Sequence, residues 1–214
     1  MKKTEQRPPR KEGPALFFDV LRHRLWDLCK LNLILLLFCI PVVTIPTALT
    51  AMARVQLDML AGKPGPVFAA FLQTVKTRWK RATFAGLIYY ALLAAAVYGF
   101  YYDSAVSGNL LFYTVLLFAV ALLLIAGFYL FPLLAATDWA PAGIFKSALR
   151  LTFSRLPQNI LALTVFVVAV YLAWAYFPYS AVVLVLILCS LLGLITIFCA
   201  HTGFLAKKTL DKKP

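Results

Sequence analysis

Charged residues are scarce in this sequence, and five long stretches contain none at all. Asp, Glu, Lys and Arg make up 14% of the 214 residues, whereas apolar residues make up 63%. Soluble domains average about 25% charged residues, so this composition excludes an ordinary soluble domain. The high hydrophobicity excludes intrinsic disorder. The stretches without Asp, Glu, Lys, Arg or His are 31–53, 82–102, 109–136, 157–177 and 179–200.

Each of these stretches is long enough to cross a bilayer, because a transmembrane helix needs roughly 20 apolar residues. The sequence therefore predicts an all-α, polytopic membrane helix bundle. A single membrane domain over 15–206 follows a basic, flexible N-terminus (1–14) and precedes a basic cytoplasmic tail (207–214). About five transmembrane helices are predicted within it, near 31–53, 82–102, 109–136, 157–177 and 179–204.

Acidic residues are also few, at 8 against 21 basic residues, and the formal net charge is +13. A basic excess alone would suggest nucleic acid, but the Lys and Arg residues lie in segments that flank the charge-free stretches. The loop at 103–108 contains no Lys or Arg. Because short cytoplasmic loops collect basic residues, 54–81, 137–156 and the C-terminus are predicted to be cytoplasmic. The expected partner of these charges is the anionic inner leaflet of the bilayer, and no nucleic acid is expected.

The N-terminus poses a conflict. Residues 1–30 hold eight basic residues, which favours the cytoplasmic side, yet one crossing by 31–53 would place them outside. Pro41 and Pro46 suggest a solution, since proline inside a helix removes a backbone hydrogen bond and bends the chain. The stretch is then a re-entrant or two-part element and the N-terminus is cytoplasmic. The alternative is an external N-terminal segment.

Two segments, 66–81 and 141–156, share a pattern of apolar and basic residues at helical spacing. Aligning Phe71 with Phe145 matches five of sixteen positions, and each segment begins with proline, which suits a first helical turn. Both are predicted to be amphipathic helices in the cytoplasmic interface. Whether they mark a true internal repeat stays open, because shared amphipathicity produces the same pattern.

Residues that carry chemistry are rare. The sequence has two histidines and four cysteines without a C-x-x-C motif, and no metal or catalytic motif is present. We therefore expect no catalytic residue, no metal, no cofactor and no enzymatic activity. A membrane enzyme would need Arg54, Asp58 and Asp138 to converge at the inner face. The candidate structural or functional residues are Asn32, Pro41, Thr44, Pro46, Arg54 and Asp58.

Asn32 and the pair formed by Arg54 and Asp58 have two interpretations each. An amide in hydrocarbon needs a hydrogen-bond partner, so Asn32 either joins helices or contacts a polar ligand. Arg54 and Asp58 are four residues apart, which is the spacing of a helical salt bridge or of a gate pair at a re-entrant tip. A hydroxyl such as that of Thr44 can satisfy carbonyls that the prolines leave free.

The first charge-free stretch and the residues before it carry one specific signature. It consists of Trp26-Asp27-Leu28, Leu31-Asn32, Pro41-Val42-Val43-Thr44-Ile45 and Ala48-Leu49-Thr50-Ala51. This resembles the YesL family of small bacterial membrane proteins of unknown function, although Pro46-Thr47 stands where that family has Gly-Pro.

The resemblance implies a multi-pass protein of the bacterial cytoplasmic membrane that acts as a non-enzymatic accessory in carbohydrate uptake. A sugar ABC permease is the implied partner, and a second copy of the chain is another candidate. The alternative function is a small transporter or channel for an uncharged solute, with a polar path lined by Asn32, Thr44, Asn159 and Ser180.

Overall fold

The computed structural model describes residues 14–62, 65–106, 110–154, 156–176, 189–195 and 197, and no strand occurs among them. Residues 189–195 and 197 are helical. Three predicted segments lie wholly or largely outside the described residues: most of the N-terminus (1–13), much of the span 179–204 and the tail (207–214). The helices are α1 (Pro14–Phe38), α2 (Ile45–Leu60), α3 (Val67–Val106), α4 (Leu110–Ala136), α5 (Pro141–Ser154) and α6 (Leu156–Ala175), with a 3-10 turn at Val42–Thr44.

The first charge-free stretch is not one helix. α1 ends at Phe38, three residues before Pro41, and α2 begins at Ile45 with Pro46 in its first turn. A residue that precedes proline is disfavoured in the helical region, whereas proline suits the first turn of a new helix. The two prolines therefore end one helix and begin the next, which gives the two-part element that the sequence suggested.

α1 and α2 form a hairpin, and the second half of α1 and the end of α2 both lie near the start of α3. Lys30 of α1 and Val67 of α3 line the same cleft, and Leu60 at the end of α2 shares an apolar core cluster with Val67. The tip of the hairpin reaches further along α3, where Pro46 contacts Gly86. From Lys30 to Leu60, the chain thus passes from the start of α3 to Gly86 and back to the start of α3.

α3 and α4 form a second, longer antiparallel pair. The rings of Phe100 and Tyr113 lie 4.5 Å apart near the connection, and Tyr89 Oη donates to the carbonyl of Leu123 at 3.1 Å. With 40 residues, α3 is about 60 Å long, about twice the thickness of a hydrocarbon core. The predicted interfacial helix 66–81 and the predicted span 82–102 are therefore two parts of one continuous helix.

The second proposed repeat is built differently. The helical segments Ala142–Ser154 and Asn159–Leu172 meet at an angle of 96°, with Pro157 at the junction. In the sequence alignment, the position of Pro157 corresponds to Thr83, which lies inside α3. Proline lacks an N–H and disfavours a helical residue before it. This difference explains why one copy bends and the other continues.

Within the described part of the chain, two helices are long and apolar enough to cross a membrane, Val67–Tyr102 and Leu110–Ala136. The bent pair of α5 and α6 would provide a third span if the two helices together counted as a single broken span. The fold is thus all-α over the described residues, with two candidate spanning helices, and the prediction of five transmembrane helices is not confirmed.

Candidate functional site

The end of α4 is the place where charged side chains from several helices meet. The last four carbonyls of a helix have no partner within it, and they carry the negative end of the helix dipole. Arg78 Nη1 of α3 donates to the carbonyls of Leu134 and Thr137, both at 2.8 Å. Arg54 Nη1 of α2 donates to the carbonyl of Ala135 at 3.3 Å. Two arginines thus cap α4 from two neighbouring helices.

Acidic residues complete this arginine cluster, which consists of Arg54, Asp58, Arg78, Arg81 and Asp138. Arg54 Nε lies 3.2 Å from Asp58 Oδ2. Asp138 Oδ1 lies 3.0 Å from Arg78 Nη2 and 3.6 Å from Arg81 Nη1. The cluster therefore pairs three guanidinium groups with two carboxylates, and two of the guanidinium groups also cap a helix.

The expected pair of Arg54 and Asp58 is present as an i,i+4 salt bridge. The structure adds the carbonyl of Ala135 as a further partner of Arg54. Asp138, which the enzyme alternative also required, reaches the same end of α4 through Arg78. No group of three or more His, Cys, Asp or Glu that could hold a metal was found within the described part of the chain.

A second polar cluster is completely buried between α1, α2 and the helical segment at 189–195. Asn32 Oδ1 accepts a hydrogen bond from the backbone N–H of Ser190 at 3.0 Å. Gln56 Nε2 donates to the carbonyl of the same residue at 2.7 Å. Asn32, Gln56 and Ser190 are each 0% exposed. The two amides thus hold both backbone groups of Ser190, so Asn32 joins helices.

The remaining candidates lie at the tip of the hairpin. Thr44 Oγ1 donates to the carbonyl of Phe38 and lies 2.7 Å from that of Pro41. A carbonyl at the end of α1 is thereby satisfied although the helix stops. Pro46 is buried against Gly86 so closely that a Cβ at position 86 would overlap its ring. Pro41, by contrast, is exposed.

A third polar cluster fixes α5 and α6 to α4, and sequence reasoning did not assign it. Tyr129 Oη of α4 donates to Asn159 Oδ1 of α6. Asn159 Nδ2 donates to the carbonyl of Thr152 in α5 at 2.9 Å. Asn159 therefore joins α4, α5 and α6, whereas Asn32 belongs to the cluster between α1, α2 and the segment at 189–195. Ser180, the fourth residue of the proposed polar path, lies outside the described residues.

A surface cleft lies between the second half of α1 and the beginning of α3. It has a volume of about 420 Å³, and its lining includes Asp27, Lys30, Leu33, Pro66 and Phe68. Asp27 Oδ2 is 3.3 Å from Arg24 Nη1, so its charge is already paired. The lining of the cleft is mostly apolar.

These features define a helical protein with two candidate membrane-spanning helices and polar contacts between its helices. A family model described as a protein of unknown function, DUF624, matches residues 28–100. This is the YesL-type family, so the resemblance holds over these residues as a domain of unknown function. The match contains most of the hairpin, Asn32, Gln56 and Gly86, whereas α4 to α6 lie beyond it. No curated protein and no solved structure matches the chain.

Proposed function

We propose that this chain is a non-enzymatic membrane protein that acts by binding another membrane protein. The observation that carries the proposal is the use of the buried polar side chains. Asn32, Gln56, Tyr129 and Asn159 each make a hydrogen bond that joins two helices. The polar groups of these side chains hold the bundle together. We therefore expect the protein to act on other molecules through its outer surface.

The outer surface is suited to lipid and to other membrane proteins. Large apolar side chains are exposed along the charge-free parts of α3, α4 and α6, for example Leu92, Phe118 and Val167. A bilayer covers such surfaces, and helices of a partner can replace lipid there by close packing. This surface supports a membrane location, and the resemblance stated above is the reason for assigning the protein to the bacterial cytoplasmic membrane.

The arrangement of the hairpin supports a cytoplasmic N-terminus. Ile40, Val42 and Val43 at its tip are 75%, 76% and 60% exposed, and apolar residues at such exposure suit hydrocarbon better than water. The tip contacts α3 at Gly86, about 7 Å beyond Arg81 along the helix. If the tip enters the membrane and the chain returns, the start of α1 lies on the side of the membrane that holds the basic segments. This is the cytoplasmic side, on which the C-terminus is also predicted to lie.

The class of partner follows from the resemblance stated above. The resemblance to the YesL family implies an accessory role in carbohydrate uptake, and we therefore propose a sugar ABC permease as the partner. A second copy of the chain is the competing partner.

Photocrosslinking in native membranes tests this proposal. A photoreactive amino acid in place of Leu92 on the exposed face of α3 should form an adduct with a sugar permease. The same amino acid in place of Phe71, which is 0% exposed, is the control and should form no adduct with another protein. Adducts that contain only this chain would contradict the accessory role.

A further inference from the structure

α5 has two faces with different surroundings. One face carries Ile144, Ala148 and Thr152, which are 0%, 1% and 0% exposed; Ile144 and Ala148 belong to a core cluster with residues of α4. The other face is exposed and holds two basic and two large apolar side chains, Lys146, Leu149, Arg150 and Phe153. These four residues, called here the outer strip, have the spacing of a single helix face.

The orientation of α5 is fixed by buried contacts. Asn159 Nδ2 holds the carbonyl of Thr152 near the end of α5, while Asn159 Oδ1 accepts from Tyr129 of α4. The 96° angle to the α6 segment therefore belongs to a packed junction. If the charge-free α6 follows the membrane normal, α5 lies parallel to the membrane surface.

We propose that the outer strip binds anionic phospholipid at the surface of the membrane. Leu149 and Phe153 are 48% and 49% exposed, which is expected of side chains that enter the boundary between headgroups and acyl chains. Lys146 precedes Leu149 by one helical turn and Arg150 lies between Leu149 and Phe153, so both basic side chains share this face and meet lipid phosphates. α5 contains no Asp or Glu, so nothing on the helix itself neutralises these two charges. This inference is independent of the proposed protein partner.

The alternation of charge and bulk favours lipid over the other occupants. Lys and Arg keep their charged ends at the polar surface while their stems cover apolar area, which lets all four side chains act together on one membrane. Water would leave Leu149 and Phe153 without apolar contact. A second copy would bring the same positive strip against itself, because a two-fold interface pairs the same surface.

A spin label at position 149 tests the proposal. The label is attached to Leu149→Cys in a chain whose four native cysteines are replaced by serine, reconstituted in vesicles of phosphatidylglycerol and phosphatidylethanolamine. We expect the label to collide with oxygen, which concentrates in lipid, more than with a water-soluble nickel chelate. Ala148→Cys on the buried face is the control and should be shielded from both.

Charge variants identify the lipid. Lys146→Gln with Arg150→Gln should lower the preference for phosphatidylglycerol over phosphatidylcholine about fivefold for each side chain removed. The double variant Lys146→Arg with Arg150→Lys keeps both charges and should preserve the preference for phosphatidylglycerol. The double variant Lys76→Gln with Lys80→Gln removes two charges from α3 and should leave the depth of the label at 149 unchanged. Two results would overturn the proposal. In the first, the label at 149 is accessible to the nickel chelate. In the second, the label is shielded from both reagents and shows spin–spin broadening from a second copy of the chain. Either result would leave the proposed accessory function standing.

Discussion

The side-chain oxygen of Asn32 accepts a hydrogen bond from the backbone N–H of Ser190 at 3.0 Å, across 158 residues of sequence. Both residues are fully buried. The bond ties the hairpin, where the family match lies, to a helical segment far beyond it. With Gln56 on the carbonyl of Ser190, it fixes the position of that segment against α1 and α2.

Removing the amide of Asn32 should destabilise the bundle. Asn32→Leu leaves the N–H of Ser190 without its side-chain acceptor in an apolar interior, and we expect a loss of about 1–2 kcal/mol. Thermal unfolding in detergent measures it. Gln73→Leu removes an exposed amide from α3 and should change stability by less than about 0.5 kcal/mol. Equal effects of the two variants would contradict the role given to Asn32.

The contact between Pro46 and Gly86 gives a second prediction. Alanine favours a helix over glycine by about 1 kcal/mol, so Gly86→Ala would be stabilising if space were available. Because the added methyl group would overlap Pro46, we expect a net loss of about 1–3 kcal/mol from overpacking, again measured by thermal unfolding.

Gly143→Ala is the matched control for that variant, since it also places alanine in a helix. The nearest heavy atom to its added Cβ is Trp139 Cβ at 4.0 Å, so this variant should be neutral or slightly stabilising. If Gly86→Ala behaved in the same way, the tip of the hairpin would not lie against α3 at this point.

Arg78 should matter more than its neighbours on α3. Arg78→Gln removes two charge-assisted hydrogen bonds to the carbonyls of Leu134 and Thr137 and the ion pair with Asp138. We expect a loss of about 2–3 kcal/mol in unfolding free energy. Arg78→Lys should recover only part of it, because lysine lacks the planar fork of donors.

Lys76→Gln removes the same charge from an exposed position two residues away. It should cost less than about 0.5 kcal/mol. A loss as large as that of Arg78→Gln would mean that net charge, rather than the capping of α4, determines the stability of this region.

Part of this fold is readable from sequence because its signals are local. Pro41 and Pro46 predicted the interruption of the first stretch, since proline acts on its own helix. The salt bridge of Arg54 with Asp58 follows from their spacing. The continuity of α3 was missed, although no proline or glycine lies between Pro66 and Ala85 to end the helix.

The contacts between distant helices could not be predicted in this way. Gln56 and Ser190 are 134 residues apart, and nothing near Gln56 in the sequence indicates its partner. Gln56 stands between Arg54 and Asp58 in the sequence, so its burial does not stand out from its charged neighbours. The role of Arg78 likewise depends on where α4 ends beside α3, which is a property of packing.

Cysteine labelling tests the central claim, a hairpin that enters the membrane and returns, most directly. Single cysteines replace Arg22 before the apolar part of α1, Gly62 after α2 and Asp103 after the charge-free part of α3, in a chain without native cysteines. A membrane-impermeant maleimide should label positions 22 and 62 from the same side and position 103 from the other. Labelling of 22 and 62 from opposite sides would show that 31–53 crosses the membrane and would contradict the account.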